Sequence, residues 1–301
     1  MTRLQLNLAL IVLIGGLAAL LYFTKDDEKK GPPLTALTDA TLERIRIEHP
    51  GKPAIALARQ DGQWRLTEPV QVLADPLEVA SIVTLATMEA KRKLAVADVD
   101  LKELKLDPPS YRVTLNETVL AIGDSEPIEY RRYIRVGEEI ALTDDPPGAA
   151  LDADYADLVS KDLLPPNADI RRIEVPGLTL TRSADGQSWT ESPAQAGTTS
   201  DQKQKFVDGW KNARAMWNAA VPAGEADKPG EPVTVVHAGG ELKLKIVARE
   251  PQLILENPVV GVRYTLSKAL ESEILRLPDP PKTEAAEHDA PVSLPAIPGA
   301  S

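Results

Sequence analysis

The chain carries the stretch "RQDGQWRLTEP" at Arg59–Pro69 and nearly repeats it as "RSADGQSWTESP" at Arg182–Pro193. The repetition extends well beyond these two lines. Ile47, Glu48, Pro50 and Gly51 return as Ile173, Glu174, Pro176 and Gly177, and Val136, Gly137 and Leu142 return as Val260, Gly261 and Leu266. Self-similarity on this scale predicts two tandem copies of one domain-sized unit, over residues 35–164 and 165–277, and argues against a solenoid of short repeats.

Each copy reads as α+β: an antiparallel β-sheet with one main packed helix. In "ERIRIE" Ile45 and Ile47 share one parity while Arg44, Arg46 and Glu48 share the other, the period-2 signature of a strand with one wet face. Asp61-Gly62 is a hairpin signal leading into a strand that carries Trp64. Trp64 and Trp189 are expected as core pillars, with stacking on sugars as the alternative. A helix is predicted over Ala74–Leu94, with Asp75 as N-cap, Pro76 at the first helical position and Lys91–Lys93 at the far end of the dipole. Its counterpart is predicted over Ser200–Trp217, where Phe206, Trp210, Ala213 and Trp217 fall on one helical face. Alternating apolar residues around Tyr111–Leu115, Leu120–Ile122, Ile134–Val136 and Val233–Leu266 complete the sheets, Gly239-Gly240 reads as a hairpin tip, and short helices are expected near 150–159 and 267–275.

Residues 1–30 read as an N-terminal membrane anchor. Leu6 to Phe23 contains no charge and, as a helix, spans roughly 27 Å, close to the hydrocarbon thickness of a bilayer. A cleaved signal peptide is the rival reading, but the run ends in Leu20, Leu21, Tyr22 and Phe23 where small cleavage-site residues belong. Arg3 precedes the span and Lys25, Lys29 and Lys30 follow it, a count that runs against an exported domain; long downstream domains translocate regardless of charge, so the expectation is a single pass with the main domain outside the cytoplasm. From Pro278 the sequence is rich in Pro and Ala, and residues 278–301 are expected to be a disordered tail.

The anchor, the "dGqW.l..P....AD" pattern written here from Asp61 to Asp75, "LKLDPPSYRVTL" at Leu104–Leu115 and "AIGD" at Ala121–Asp124 together resemble the bacterial domain of unknown function 4340 family. Genes of that family often sit beside ABC-type transporters of the gliding-motility type. The resemblance implies a bacterial inner-membrane location, a periplasmic main domain and ABC transporter membrane subunits as partners. It supplies no catalytic residue.

The sequence's own chemistry is sparse. A net charge of −11 opposes nucleic-acid binding, which clustered Lys and Arg drive. Without cysteine the chain has no disulfides, thiol nucleophiles or thiolate metal sites. His49, His237 and His288 lie far apart, outside any metal or triad spacing, and "DADYAD" at Asp152–Asp157 lacks the glycine and terminal Glu of a calcium loop. No catalytic, cofactor or metal residue is assigned. One patch stands out: Arg131, Tyr133 and Arg135 share a strand face, and the second copy has no such arginines. That face suits an anionic ligand or an acidic partner segment; neutralisation by Glu129, Glu138 and Glu139 is the alternative. The expected function is a non-enzymatic accessory subunit of an ABC-type transport or envelope-assembly system. The alternatives are a binding module for an envelope polysaccharide or lipid, and an enzyme of unrecognised type.

Overall fold

The computed structural model describes residues 13–17, 31–144, 146 and 151–278. Most of the apolar run at 6–23, His288 and nearly all of the C-terminal tail lie outside the described residues. Residues 13–17 are helical with Leu13, Ile14 and Leu17 exposed, and among the described residues no helix is long and apolar enough to cross a membrane.

The fold is α+β, dominated by two antiparallel sheets. The first is built from β1 (Arg44–Glu48), β2 (Ile55–Gln60), β3 (Gln63–Glu68), β4 (Val72–Leu73), then helix α1 (Pro76–Thr87), β5 (Arg92–Ala95), β6 (Tyr111–Leu115), β7 (Thr118–Ser125), β8 (Arg132–Val136) and β9 (Glu139–Thr143). The second is built from β10 (Ile170–Val175), β11 (Leu178–Arg182), β12 (Trp189–Ser192), then α2 (Ser200–Lys211), β13 (Trp217–Ala220), β14 (Glu231–His237), β15 (Gly240–Ala248), β16 (Leu253–Asn257) and β17 (Val262–Leu266), followed by α3 (Lys268–Ile274). The spatial orders are β4-β3-β2-β1-β6-β7-β8-β9-β5 and β12-β11-β10-β14-β15-β16-β17-β13. With β4 set aside, the second order retraces the first strand for strand.

The chain divides into two compact units, residues 1–59 with 80–151 and residues 60–79 with 152–301. This grouping runs across the sequence halves 35–164 and 165–277.

The alternation in β1 is realised as expected, with Ile45 and Ile47 fully buried and Arg44 exposed. Asp61 and Gly62 have φ of 50° and 77°, the two positive values that a tight two-residue hairpin turn requires. Both helices start where expected. α1 buries Val79, Ile82, Leu85 and Ala86 at helical spacing, and α2 buries Phe206, Val207 and Trp210.

Four expectations are corrected. Both helices stop early, at Thr87 and Lys211; of the residues predicted to prolong them, Arg92–Leu94 fall in β5 and Trp217 opens β13, strands that pair with β9 and β17. Lys91 and Lys93 therefore lie beyond the helix end and pair with Asp144 at 3.7 Å and Glu139 at 2.7 Å. Trp217 leaves the helical face and is exposed on β13. Trp64 and Trp189 are only half-buried, and the fully buried tryptophan is Trp210, whose indole N–H donates to the Ile274 carbonyl at 2.8 Å. The described part of 150–159 is mostly turn rather than helix.

Candidate functional site

One polar cluster is built around Asp75, which is fully buried. Its position before Pro76 makes it the cap of α1. Oδ1 accepts from the backbone N–H groups of Leu77 at 3.0 Å and Glu78 at 3.3 Å, satisfying donors that a helix start leaves open. Oδ2 accepts from Arg214 Nη2 at 3.0 Å, and Arg214 Nη1 donates to Asp162 at 2.9 Å. The Asp162 carboxylate is the main cause holding the Arg214 guanidinium above its ordinary pKa. Lys161 pairs with Glu78 at 2.7 Å.

Backbone bonds fix the same arrangement. Asp75 N–H donates to Leu158 O at 2.8 Å and Ser160 N–H to Leu73 O at 2.9 Å; on the other side Leu163 N–H donates to Ala213 O at 3.0 Å and Ala215 N–H to Lys161 O at 2.8 Å. Residues 158–163 thus lie between 72–78 and 213–218, all within the second compact unit. Two amides and a guanidinium held by one buried carboxylate make Asp75 a strut between these segments.

A second cluster lies in the first unit. Asp124 N–H donates to Leu104 O at 2.9 Å, and its carboxylate pairs with Lys105 at 2.8 Å. The Lys105 hydrogen bond, followed by the Ser125 N–H, holds the Asp124 carboxyl below its ordinary value. A Cβ on Gly123 would stand 2.3 Å from Leu104 O, so the loop approaches β7 this closely only over glycine.

The second sheet carries a charged row that the sequence did not disclose. Lys245, Glu256 and Arg263 are cross-strand neighbours on β15, β16 and β17, and Glu256 is fully buried. Lys245 pairs with Glu256 at 2.9 Å and Arg263 with the same carboxylate at 2.8 Å. The β13–β14 connection covers the row: Glu225 pairs with Arg263 at 2.8 Å, and Lys245 Nζ donates to Ala226 O and Lys228 O, each at 2.7 Å.

The predicted face of Arg131, Tyr133 and Arg135 is half-buried at the start of and along β8. Arg131 pairs with Glu129 at 2.5 Å; Arg135 donates to Gly137 O at 2.8 Å and lies 3.7 Å from Glu138. His49 stacks on Tyr111 with centroids 5.1 Å apart, and His237 Nδ1 accepts the Gly239 N–H at the β14–β15 tip. In "DADYAD" Asp157 accepts the Asp154 N–H, while the Tyr155 hydroxyl donates to Gly261 O at 2.9 Å. Among the described residues no group of three or more His, Asp or Glu is placed to hold a metal.

Several pockets belong to the second unit, among them one beside α2 and one beside α3. One, of about 250 Å³, is lined by Trp189, Asp169, Arg182, Gln187 and Gln204 among others. The other, of about 390 Å³, is lined by Arg249, Lys268, Glu271 and Arg276 among others. In the latter Lys268, then Arg249, holds Glu271 below its ordinary value, so two of the cations already have a carboxylate partner. The aromatic wall of the first was foreshadowed by the repeated tryptophans; the second draws on the end of β15 and on α3, and no sequence motif marks it.

Fold and clusters together define an antiparallel α+β scaffold whose buried charges tie its own segments to one another. The chain belongs to the family described as a domain of unknown function (DUF4340), whose model matches residues 64–221. No curated protein and no solved structure matches the chain. The residues that carry the resemblance have physical roles here. Asp61-Gly62 makes the turn, Ala74 is buried, Asp75 caps and pairs, and Lys105, Gly123 and Asp124 hold the 101–107 loop against β7.

Proposed function

We propose that this chain is a non-enzymatic, single-pass protein of the bacterial inner membrane, held by residues 6–23, whose main domain stands on the periplasmic side. There it serves an ABC-type transport or envelope-assembly system as an accessory subunit, through protein–protein contacts. In this reading residues 35–164 and 165–277 are duplicated copies, a view supported by the matching strand orders of the two sheets. The observation that carries the proposal is the role of the signature residues: they make turns, a helix cap and internal ion pairs, the chemistry of holding a shape. The transporter partner rests on the family resemblance, and the anchor on the uncharged run and its length. In-cell crosslinking followed by capture of the full chain in mild detergent is expected to bring down ABC membrane subunits. Recovery of the chain alone would overturn the accessory role.

A second reading, a binding module for an envelope polysaccharide, is favoured by the Trp189 pocket, where an aromatic side chain stands beside Asp169, Gln187 and Gln204. Under it, envelope glycans bind the full chain and Trp189→Ala abolishes the binding.

A further inference from the structure

Ile128 and Tyr130 are 87% and 74% exposed, among the most solvent-exposed large apolar side chains of the described residues. Both sit on the turn between β7 and β8, and Tyr130 is held at a φ of 56°, a conformation that a bulky side chain seldom adopts. An exposed aliphatic and an exposed aromatic side chain on one short turn are available for a contact.

The location of the turn identifies the contact. After the apolar run the described chain resumes at Gly31–Leu34, fixed beside the exit of α1: Ala90 N–H donates to Pro32 O at 2.9 Å and Leu34 N–H to Met88 O at 2.7 Å. A Cβ on Gly31 would lie 2.0 Å from Ala90 O, so the approach is as close as a backbone allows. Two residues after Ala90, Arg92 opens β5 and pairs at 3.1 Å with Glu126, the buried base of the exposed turn. Glu126 N–H donates to Arg131 O at 2.8 Å and closes the turn. The point of chain entry and the turn therefore share one end of one sheet. Only residues 24–30 separate that entry point from the apolar run, a reach of roughly 25 Å at full extension.

We propose that the turn bearing Ile128 and Tyr130 seats in the headgroup layer of the bilayer that holds residues 6–23, giving the domain a second contact with the membrane. This rests on the membrane-anchored reading above. An aliphatic side chain beside a tyrosine suits the interfacial layer. The charges around them are paired within the turn's own surroundings, Glu126 with Arg92 and Glu129 with Arg131, so insertion is apolar rather than electrostatic. At the other end of β7 the Asn116-Glu117 turn is polar, and the Asn116 side chain bonds to the backbone of Thr41, Glu43 and Arg44.

The chain has no native cysteine, so Ile128→Cys and Glu117→Cys each provide a unique labelling site. The full chain, labelled with an environment-sensitive fluorophore, is reconstituted into phosphatidylcholine vesicles carrying headgroup nitroxide lipids. Quenching is expected to be at least about twofold greater at position 128 than at 117, and unchanged when anionic lipid is added. Equal quenching at the two positions, in a chain that resists carbonate extraction, would overturn the turn's role and leave the anchor standing. Extraction by carbonate would overturn the anchor and this proposal with it. A blue shift at position 128 without nitroxide quenching would mean burial against protein, which also overturns it.

Discussion

The two sheets share a strand order yet secure corresponding places with different chemistry. Helix α1 is capped by Asp75, which also grips Arg214, whereas α2 is capped by Thr199 and Gln202 in a reciprocal capping box with no ionic partner. On the strands after the helices, the second sheet buries the Lys245–Glu256–Arg263 row, while in the first sheet Arg135 stands between Ala121 and Ile140 and pairs outward with Glu138. The strand order is the same while the polar ties differ, which implies that apolar alternation sets the fold and charged residues adjust its stability locally.

All four tryptophans lie in the second compact unit, so their fluorescence reports that unit while circular dichroism reports both. The sharpest break in the comparison is expected at the two charged rows. Glu256→Ala leaves Lys245 and Arg263 facing each other under the covering loop and is expected to cost about 3–5 kcal/mol in urea titrations followed by fluorescence. Arg135→Ala, losing a pair with an exposed Glu138, is expected to cost about 0–1 kcal/mol by dichroism; equal losses would abolish the distinction. Next come the caps. Asp75→Ala removes a cap and a buried ion-pair partner and is expected to cost about 2–4 kcal/mol, against about 1 kcal/mol for Thr199→Ala. Asp75→Asn keeps an oxygen for the cap and separates the two contributions. Gly123→Ala, which drives a Cβ against Leu104 O, is expected to cost about 1–3 kcal/mol by dichroism while leaving the tryptophan transition in place.

The smallest effect is one of pH. Glu191 on β12 pairs with Lys203 on α2, and that hydrogen bond, against a smaller cost of burial, holds its carboxyl below the ordinary 4.5. A depressed carboxylate contributes stability above its unfolded value, and loses it as pH falls through the lower folded value. Fluorescence-detected stability is therefore expected to decline below about pH 4.5, with a shallower decline in Glu191→Gln. A variant as acid-sensitive as the parent would remove the pair from the account.

Local signals made much of the fold legible. Ile45 and Ile47 announced a one-sided strand, Asp61-Gly62 its hairpin, and Asp75-Pro76 the start of a helix. β5 and β13 were hidden because "AKRKL" and "ARAMW" continue a plausible helical pattern; what makes them strands is pairing with β9 and β17, far along the chain. The Asp75–Arg214 pair joins residues 139 apart, and no local spacing foretells it. Glu256 reads as a wet-face acid by alternation, yet it is buried between Lys245 and Arg263, which in turn hold the β13–β14 loop. The β8 arginines were visible as residues, but their partners Glu129 and Glu138 decide how much charge they present.

The threading of residues 158–163 between 72–78 and 213–218 has a practical corollary for dissection. Severing the polypeptide between 164 and 165, where the repeat invites a cut, leaves Asp75 and Asp162 on one fragment and Arg214 on the other. Each fragment then exposes an orphaned ionic end, and the two are expected to regain their shape only when mixed.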